Sequence, residues 1–245
     1  MTNRLSGSIV VTGASGFIGQ HLVKQLLCDN LTVVAVSRKH KLGFFQLDDY
    51  RFSPKGKVLI HLAEEPDRLL VNGVGESYLR SSENVVSALV DRGYEKVIYV
   101  SSGTVYGDSS FSPRACSDKV IANDVYNKSK LTNEHTVLTA GGVVIRVSNV
   151  YGEGMADTNV ISDIIRQIPG AGPLEVRDAK PVHDYLHVND FVKAIVRLIF
   201  SDFRGVINVA SGVGTSVYRL AEIALFAANQ SYREIVSLNQ ISSRS

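Results

Sequence analysis

Short runs of Val and Ile alternate with amphipathic helical segments through most of this 245-residue chain. Continuous apolar runs are typical of strands covered on both faces, and strands separated by helices indicate a parallel sheet. We therefore expect an α/β fold with a doubly wound parallel sheet. The expected strands are residues 8–11, 32–36, 57–62, 96–100, 143–147 and 206–209, and the expected helices are 16–28, 76–91, 123–138, 188–200 and 217–229.

The alternation changes after Gly152. One helical segment, NVISDIIRQI, is followed there by the turn-rich stretch PGAGPLEVRDAKP. We expect residues 1–152, joined by about 183–212, to form the larger domain. Residues 153–182 and 213–245 are expected to form a small C-terminal lobe.

Composition argues against several classes of protein. The charges nearly balance, with 26 basic and 24 acidic residues and no long run of like charge, which argues against nucleic-acid binding. The only cysteines are Cys28 and Cys116, and no Cys/His cluster has metal-ligand spacing, so neither a disulfide scaffold nor a metal site is indicated. No apolar stretch approaches membrane-spanning length, so we expect a cytoplasmic protein without a membrane partner.

The segment TGASGFIG (12–19) links the first expected strand to the first expected helix. In this position Gly13 permits a tight turn, Gly16 lets the backbone approach a pyrophosphate, and Gly19 permits close helix packing. The simpler alternative is a strand-to-helix turn without a ligand, but the flanking elements favour a dinucleotide site. The other expected contacts of this loop are Ser15, Phe17 and Ile18.

The end of the second expected strand indicates which dinucleotide is bound. NAD sites usually place a carboxylate there for the ribose 2′-hydroxyl, whereas NADP sites supply a cation for the 2′-phosphate. This chain has Ser37 and Arg38, a hydroxyl and a guanidinium that can bind phosphate. We therefore expect NADP, with NAD as the alternative if Arg38 is only a solvated loop cation.

Seven short motifs follow one another along the chain. They are TGASGFIG (12–19), HLA (61–63), SSGTVYG (101–107), YNKSK (126–130), VIRVSNVYGEG (144–154), HDYLHVND (183–190) and NVASGVGTSV (208–217). In this order and spacing they resemble the extended short-chain dehydrogenase/reductases, and within them the NAD(P)-dependent epimerase/dehydratase family that modifies nucleotide sugars. The resemblance covers residues 8–225, and it implies a Rossmann sheet with a substrate-binding lobe, here reduced.

The resemblance implies a catalytic set of three residues. Tyr126 takes the role of general acid/base. Free tyrosine ionises near pH 10, about three units too high, but a nearby Lys130 ammonium and a positive nicotinamide favour the phenolate. Lys130 also takes the role of holding the nicotinamide ribose, and Ser102 that of hydrogen-bonding the substrate oxygen. Leu62 and Ala63 are expected beside the cofactor. The Tyr-x-x-x-Lys spacing alone would be weak evidence, because it often arises by chance.

Three further residues are expected to contact the substrate. Thr104 is a candidate to share the substrate oxygen, with packing in its loop as the alternative. Asn149 occupies a family position that contacts the substrate diphosphate or sugar, unless it only caps a turn. Arg177 is a candidate partner of the diphosphate, with an exposed, unengaged arginine as the alternative.

The residues after Ser102 restrict the reaction. Family dehydratases usually have an Asp-Glu pair directly after the catalytic Ser/Thr, and this chain has Gly103 and Thr104, which cannot shuttle a proton at neutral pH. Dehydration is therefore disfavoured, and epimerisation or net reduction of a keto-sugar remains. The alternatives are an NADPH-dependent reductase of another small carbonyl compound and a non-catalytic dinucleotide-binding regulatory protein.

The expected partner is a small-molecule substrate, a nucleotide sugar by resemblance. The chain is shorter than is usual for the family, so a smaller or different substrate is an alternative. Relatives often dimerise through the helices that correspond to residues 76–91 and 123–138. The resemblance therefore also implies a homodimer.

Overall fold

The computed structural model describes residues 7–107 and 112–241, except for the side chains of residues 240 and 241. The strands alternate with helices as expected, and the predicted α/β fold is confirmed. The strands are β1 (Ile9–Thr12), β2 (Val33–Ser37), β3 (Phe45–Gln46), β4 (Val58–His61), β5 (Lys96–Ser102), β6 (Val143–Val147), β7 (Asn149–Tyr151), β8 (Leu174–Val176), β9 (Val182–His187), β10 (Gly205–Val209), β11 (Gly214–Ser216) and β12 (Ile235–Ser237).

Eight α-helices occur among the described residues, and none of them is long and apolar enough to span a bilayer. Two short 3₁₀ segments, Tyr50–Phe52 and Gly103–Tyr106, lie between the regular elements. The helices are α1 (Phe17–Cys28), α2 (Arg68–Val74), α3 (Glu76–Val90), α4 (Val125–Thr139), α5 (Val160–Gln167), α6 (Val188–Phe200), α7 (Val217–Ala227) and α8 (Leu238–Ile241).

Seven strands form one parallel sheet in the order β10-β6-β5-β4-β1-β2-β3. The chain starts in the middle with β1 and builds outward in both directions, so the order reverses between β1 and β4. In the register, Thr12 pairs with both Val36 and His61, and the carboxyl ends of β1, β2 and β4 are therefore level. In open parallel sheets this reversal point is where ligands bind.

Successive strands of this sheet contribute apolar side chains to the core, because a parallel sheet is covered on both faces. Val10, Leu59, Tyr99 and Val144 come from β1, β4, β5 and β6 and belong to one buried cluster. The buried residues that α3 and α4 add to this cluster are Val86, Leu89 and Val137.

The chain divides into two compact units. The larger unit comprises residues 1–148 and 188–209, and the smaller comprises 149–187 and 210–245. In the smaller unit, β7, β9 and β11 form one sheet and β8 pairs with β12. Its core draws on both of its segments, with Ile164, Leu174 and Val176 from the first and Val217, Ala221 and Leu225 from the second.

The division differs from the sequence-based expectation at two elements. Strands β7 and β9, which we assigned to the larger domain, pair with each other and lie in the smaller unit, where β11 also pairs with β9. The turn-rich stretch after residue 168 also contains a strand, β8. All three strands carry polar residues, and for that reason their sequence patterns resemble loops.

Candidate active site

The glycine turn between β1 and α1 is tightly packed. Gly13 has a φ of +71°, and a Cβ there would lie 2.8 Å from the backbone of Leu62 and Ala63. A Cβ on Gly19 would lie 2.3 Å from the Gly13 carbonyl oxygen. Only glycine fits at both positions, and the packing holds the turn against the end of β4, as a dinucleotide-binding turn requires.

Among the described residues, no side chain caps the amino terminus of α1. Its N-cap is Gly16. By contrast, α2, α4, α5 and α7 are capped by Asp67, Asp124, Asn159 and Ser216. Unpaired N–H groups at the positive end of a helix suit the pyrophosphate of a dinucleotide, so the turn fits such a cofactor. The residues at this terminus are Ser15, Phe17 and Ile18.

The Ser37 side chain, at the end of β2, is fully buried. Its hydroxyl donates to Ser15 Oγ at 2.7 Å and accepts from the Lys39 N–H at 3.0 Å. Arg38 is exposed, and its guanidinium lies 5.6 Å from the centre of the Tyr50 ring. Ser37 therefore shapes the turn, while Arg38 is the exposed cation next to it.

A second cation near this turn was not predicted as a site residue. Lys41 donates from Nζ to Gln20 Oε1 at 2.7 Å, and Gln20 Nε2 donates to the Ser15 carbonyl oxygen at 2.9 Å. These bonds join the loop after β2 to the first turns of α1. The sequence signal was the basic run Arg38-Lys39-His40-Lys41, which contains no carboxylate.

Ser102 ends β5, and its hydroxyl is oriented by Thr104. The Thr104 N–H donates to Ser102 Oγ at 3.2 Å, and the hydroxyl oxygens of the two residues lie 3.0 Å apart. The Thr104 hydroxyl also lies 3.0 Å from Asn127 Oδ1, next to Tyr126 in α4. An amide oxygen only accepts and each hydroxyl has one proton, so Ser102, Thr104 and Asn127 form one hydrogen-bonded chain.

Tyr126 lies in the first turn of α4, which is held at several points. Asp124 caps the helix through the Asn127 N–H, and the Tyr126 N–H donates to Asn72 Oδ1 at 3.0 Å. Arg68 pairs with Asp124 at 2.5 Å. Helix α2, which the sequence did not predict, thus fixes the start of the helix that carries Tyr126. The Tyr126 residue is 9% exposed.

Lys130 lies one turn after Tyr126, with Nζ 5.6 Å from the centre of the Tyr126 ring. Its ammonium forms an ion pair with Glu64 and donates to the Val100 carbonyl oxygen at 3.3 Å. Glu64 also accepts from Tyr99 Oη at 2.8 Å. The Glu64 cluster consists of Glu64, Ser82, Tyr99, Lys130 and Asn133.

The buried pair keeps both charges. Burial by itself would raise the pKa of Glu64, but the Lys130 ammonium and the hydrogen bonds from Lys130 and Tyr99 hold it below its usual value. Burial likewise opposes the charge of Lys130, but Glu64 raises its pKa above the usual value. Burial and the Glu64 charge raise the pKa of the Tyr99 phenol well above 10, so Tyr99 remains a donor.

His61 has a structural environment. It is 3% exposed, and its Nδ1 lies 2.7 Å from Thr12 Oγ1. Burial lowers its pKa to about 4, with Glu64 acting in the opposite direction and Lys130 in the same direction. His61 is thus a neutral imidazole hydrogen-bonded to Thr12 of β1. No catalytic role was predicted for it from the sequence.

Asn149 and Arg177 belong to the smaller unit. Asn149 is exposed, and its Nδ2 lies 3.4 Å from the Asp184 carbonyl oxygen. Arg177 is exposed directly after β8. Their contact with substrate stays a prediction.

The parallel sheet, the glycine turn and the Ser102, Tyr126 and Lys130 set together define an NAD(P)-binding short-chain dehydrogenase/reductase. The family model described as "NAD dependent epimerase/dehydratase family" matches residues 9–210. The chain belongs to this family, and the resemblance proposed from its motifs is confirmed.

Curated relatives match most of the chain. It is 30% identical to the GDP-6-deoxy-D-mannose reductase of Pseudomonas aeruginosa, over 91% of this chain and 79% of that protein. It is 26% identical to a putative UDP-glucose 4-epimerase of Methanocaldococcus jannaschii, over 88% and 80%. The solved structure of RMD from Pseudomonas aeruginosa complexed with NADPH superposes with a TM-score of 0.81 and 28% identity, over 95% of this chain and 86% of that one. Other matched proteins are dehydratases or decarboxylases, so family membership alone does not select the reaction.

Proposed function

We propose that the protein is an NADPH-dependent reductase of a keto group on a nucleotide-activated sugar. The observation that carries this proposal is the end of β2, where Arg38 is exposed beside Tyr50 and the run 37–41 contains no carboxylate. A cation there suits a 2′-phosphate, and NADPH is the usual donor for net reduction. The identity to a GDP-6-deoxy-D-mannose reductase and the likeness to an NADPH complex support the same reading.

The cofactor would be held by the larger unit. Gly13, Gly16 and Gly19 leave room for the pyrophosphate, and the first turn of α1 supplies N–H groups to it. Arg38 would bind the 2′-phosphate as an exposed guanidinium. The remaining contacts proposed for the cofactor are Ser15, Phe17, Ile18, Leu62, Ala63 and Lys130, while the fully buried Ser37 acts through Ser15 instead of touching the cofactor.

Bound NADPH supplies a hydride for the substrate carbonyl carbon. Tyr126 gives the proton of its hydroxyl to the carbonyl oxygen, so its O–H bond breaks as the new O–H bond forms. Ser102 donates its O–H to the same oxygen, and the Thr104 N–H holds Ser102 Oγ in place. Lys130 stabilises the phenolate that remains on Tyr126.

Elimination of water would need a further acid and base, and the two residues that follow Ser102 do not supply them. Gly103 and Thr104 follow Ser102 directly, and neither exchanges a proton near neutral pH. Glu64 is a nearby carboxylate, but four donors already occupy it. We therefore propose hydride transfer without dehydration.

The substrate would be a nucleotide sugar, with Asn149 and Arg177 of the smaller unit as contacts to its sugar or diphosphate. An arginine can bind a diphosphate with paired hydrogen bonds. The free, exposed thiols of Cys28 and Cys116 support a reducing, cytoplasmic setting. A homodimer is proposed only by analogy with the family.

A second candidate is a 4-epimerase, which uses the same three residues to oxidise and then reduce one carbon. The 26% identity to a putative UDP-glucose 4-epimerase favours it. To separate the two, the purified protein is mixed with NADPH or NADP and a panel of nucleotide sugars and 4-keto sugars. Stoichiometric loss of NADPH absorbance supports reduction, whereas an inverted stereocentre with no net cofactor change supports epimerisation. If neither occurs with any compound, the nucleotide-sugar assignment is wrong.

The variant Tyr126→Phe tests the assigned acid. Loss of the hydroxyl is expected to lower kcat by about 10²–10⁴-fold, the usual contribution of a general acid, while NADPH still binds. Steady-state rates and NADPH fluorescence titration measure the two effects. The matched control is Tyr232→Phe, because Tyr232 is 77% exposed, and it should retain the full rate. An unchanged rate in Tyr126→Phe would refute the mechanism.

A further inference from the structure

Glu64 follows the expected cofactor contact Ala63, yet its side chain is turned inward. The Glu64 side chain is 8% exposed and that of Lys130 is 9% exposed. The two residues are 66 positions apart in the sequence. A buried carboxylate this close to a proposed catalytic lysine requires either a chemical or a positioning role.

Every acceptor site of Glu64 is occupied. Oε2 accepts from Lys130 and from Tyr99, and Oε1 accepts from Asn133 at 2.6 Å and from Ser82 at 3.0 Å. An ionised carboxylate has about four acceptor positions, so none is left for a substrate or for a proton in transfer. Glu64 is therefore a fixed anion, held by donors from α3, β5 and α4.

The same contacts limit what Lys130 can do. An ammonium has three N–H groups, of which one is directed to Glu64 and one to the Val100 carbonyl oxygen. One N–H remains for a ligand. The ammonium also lies 5.6 Å from the Tyr126 ring and 5.5 Å from the Tyr99 ring, so its charge reaches the proposed acid.

We propose that Glu64 is a positioning residue that acts through Lys130. Its carboxylate fixes the ammonium in one orientation and keeps it charged in its buried position beside Tyr126. This inference rests on the proposed function, because it assigns Glu64 a part in controlling the same acid. It extends that function by naming the residue that sets when Tyr126 gives up its proton.

This pairing keeps a positive charge beside Tyr126. Removing one partner of a buried ion pair leaves an uncompensated charge, and a buried lysine then loses its proton. With Glu64 in place Lys130 stays an ammonium, which stabilises the phenolate as Tyr126 gives its proton to the substrate oxygen. Without Glu64 the neutral amine gives no such stabilisation, and Tyr126 becomes a weaker acid.

Few other groups facing this pair carry charge at neutral pH. Burial lowers the pKa of His61, on β4, to about 4, so its ring is neutral. Burial followed by the Glu64 charge raises the pKa of Tyr78, on α3, to about 12, and the same causes raise the pKa of Tyr99, on β5. Glu65 also acts on Tyr78, and its carboxylate accepts from the Asp67 N–H at 3.1 Å.

A tyrosinate titration tests the proposal without any substrate. Ultraviolet absorbance is followed against pH for the wild-type chain and for Glu64→Gln, each measured with and without Tyr126→Phe. The difference within each pair isolates the ionisation of Tyr126 from that of the other tyrosines. In Glu64→Gln the midpoint for Tyr126 should rise by about one pH unit, since Lys130 loses the partner that keeps it charged. A rise of less than about half a unit, or any fall, would overturn the proposal.

Two further variants serve as controls for the Tyr126 titration. Glu65→Gln removes the same charge one position later, without a hydrogen bond from Lys130, and its midpoint should stay at the wild-type value. The double variant Glu64→Gln with Lys130→Met removes both charges, which buried pairs usually tolerate, so it answers the question even if the single variant does not fold. Its midpoint should rise by the same amount of about one unit, because the ammonium is absent in both variants, and a midpoint at the wild-type value would contradict the proposal.

The outcome is separable from that of the proposed function. If no nucleotide sugar is turned over but the Tyr126 midpoint rises in Glu64→Gln, the pairing stands and the substrate assignment fails. If a keto-sugar is reduced but the midpoint does not move, only the role of Glu64 is lost. Circular dichroism and thermal unfolding of each variant identify any that does not fold.

Discussion

At the scale of the residue, burial changes the ordinary chemistry of several side chains. His61 contacts Thr12 of β1 and stacks on Tyr99 of β5, with 6.1 Å between ring centres. It joins the glycine turn to the Glu64 cluster without carrying charge. Burial keeps His61 neutral, whereas Glu64 and Lys130 stay charged against the same burial because each is paired with the other.

The depressed pKa of His61 predicts a pH-dependent stability. An unfolded histidine ionises near pH 6.5, about 2.5 units above the folded value of about 4. Between these values the unfolded chain binds the extra proton, so the free energy of unfolding falls as the pH falls from about 6.5 to 4. Between about pH 7.5 and pH 5 the contribution of His61 should be about 2 kcal/mol.

Urea unfolding of His61→Gln at those two pH values measures this contribution. The variant should lose about 2 kcal/mol of the wild-type difference in unfolding free energy. His40→Gln serves as the control, because His40 is exposed, and it should keep the wild-type difference. Equal pH dependence in all three proteins would show that His61 is not buried as a neutral ring.

Some residues of the site could be predicted from the sequence and others could not. Tyr126 and Lys130 were predictable because one helical turn separates them and other motifs surround them. Glu64 was not, because its partner lies 66 residues away and nothing local marks a buried carboxylate. Asn72 was missed for the same reason, since its bond to the Tyr126 N–H joins two helices that are distant in the chain.

At the scale of the element, the turn before α1 depends on the helix approaching it closely. Gly19 is the contact point, because its missing side chain lets α1 pack on the Gly13 and Ala14 backbone. Gly73, in α2, is a helical glycine without such a neighbour, since a Cβ there would meet nothing within 4 Å. A Gly→Ala substitution can therefore be compared at Gly19, where the backbone is closely packed, and at Gly73, where there is open space.

We expect Gly19→Ala to move α1 away from the turn. The protein should lose about 1–3 kcal/mol of stability from overpacking and at least about tenfold in NADPH affinity. Gly73→Ala should instead gain about 0.5–1 kcal/mol, the usual preference for Ala in a helix, with NADPH binding unchanged. Urea unfolding and fluorescence titration with NADPH measure both. Full NADPH affinity in Gly19→Ala would contradict the close packing.

Whole elements were predictable where they are long and periodic. Helix α6 and strand β6 have the predicted bounds, because their apolar residues recur at the spacing of a helix and of a buried strand. Strands β7, β8 and β11 have three residues each, too few for a period to appear. Pairing between distant segments, which no local pattern records, determines them.

At the scale of the whole molecule, the smaller unit is assembled from two separate segments. Leu174 comes from the first segment and Leu225 from the second, and both are buried in the same cluster. Neither segment has a complete core alone. Damage to either should therefore destabilise the unit that both form.

This arrangement predicts coupled effects of core truncation. Leu174→Ala and Leu225→Ala should each lower the free energy of unfolding by about 2–5 kcal/mol, since each leaves a cavity. The double variant should deviate from the sum by at least about 0.5 kcal/mol, because the two sites share one core. Leu69→Ala, at a side chain that is 83% exposed, should change stability by less than about 0.5 kcal/mol. Strict additivity in the double variant would argue that the two segments pack separately.

The strand order also governs how the chain can fold during synthesis. Strand β10 pairs with β6, yet residues 149–187 of the smaller unit and helix α6 lie between them in the sequence. A ribosome delivers β6 first, and its outer edge stays unpaired until Val209 has emerged. An unpaired edge of Val and Ile can pair with another chain, so this interval is the one in which the nascent protein most needs protection from aggregation.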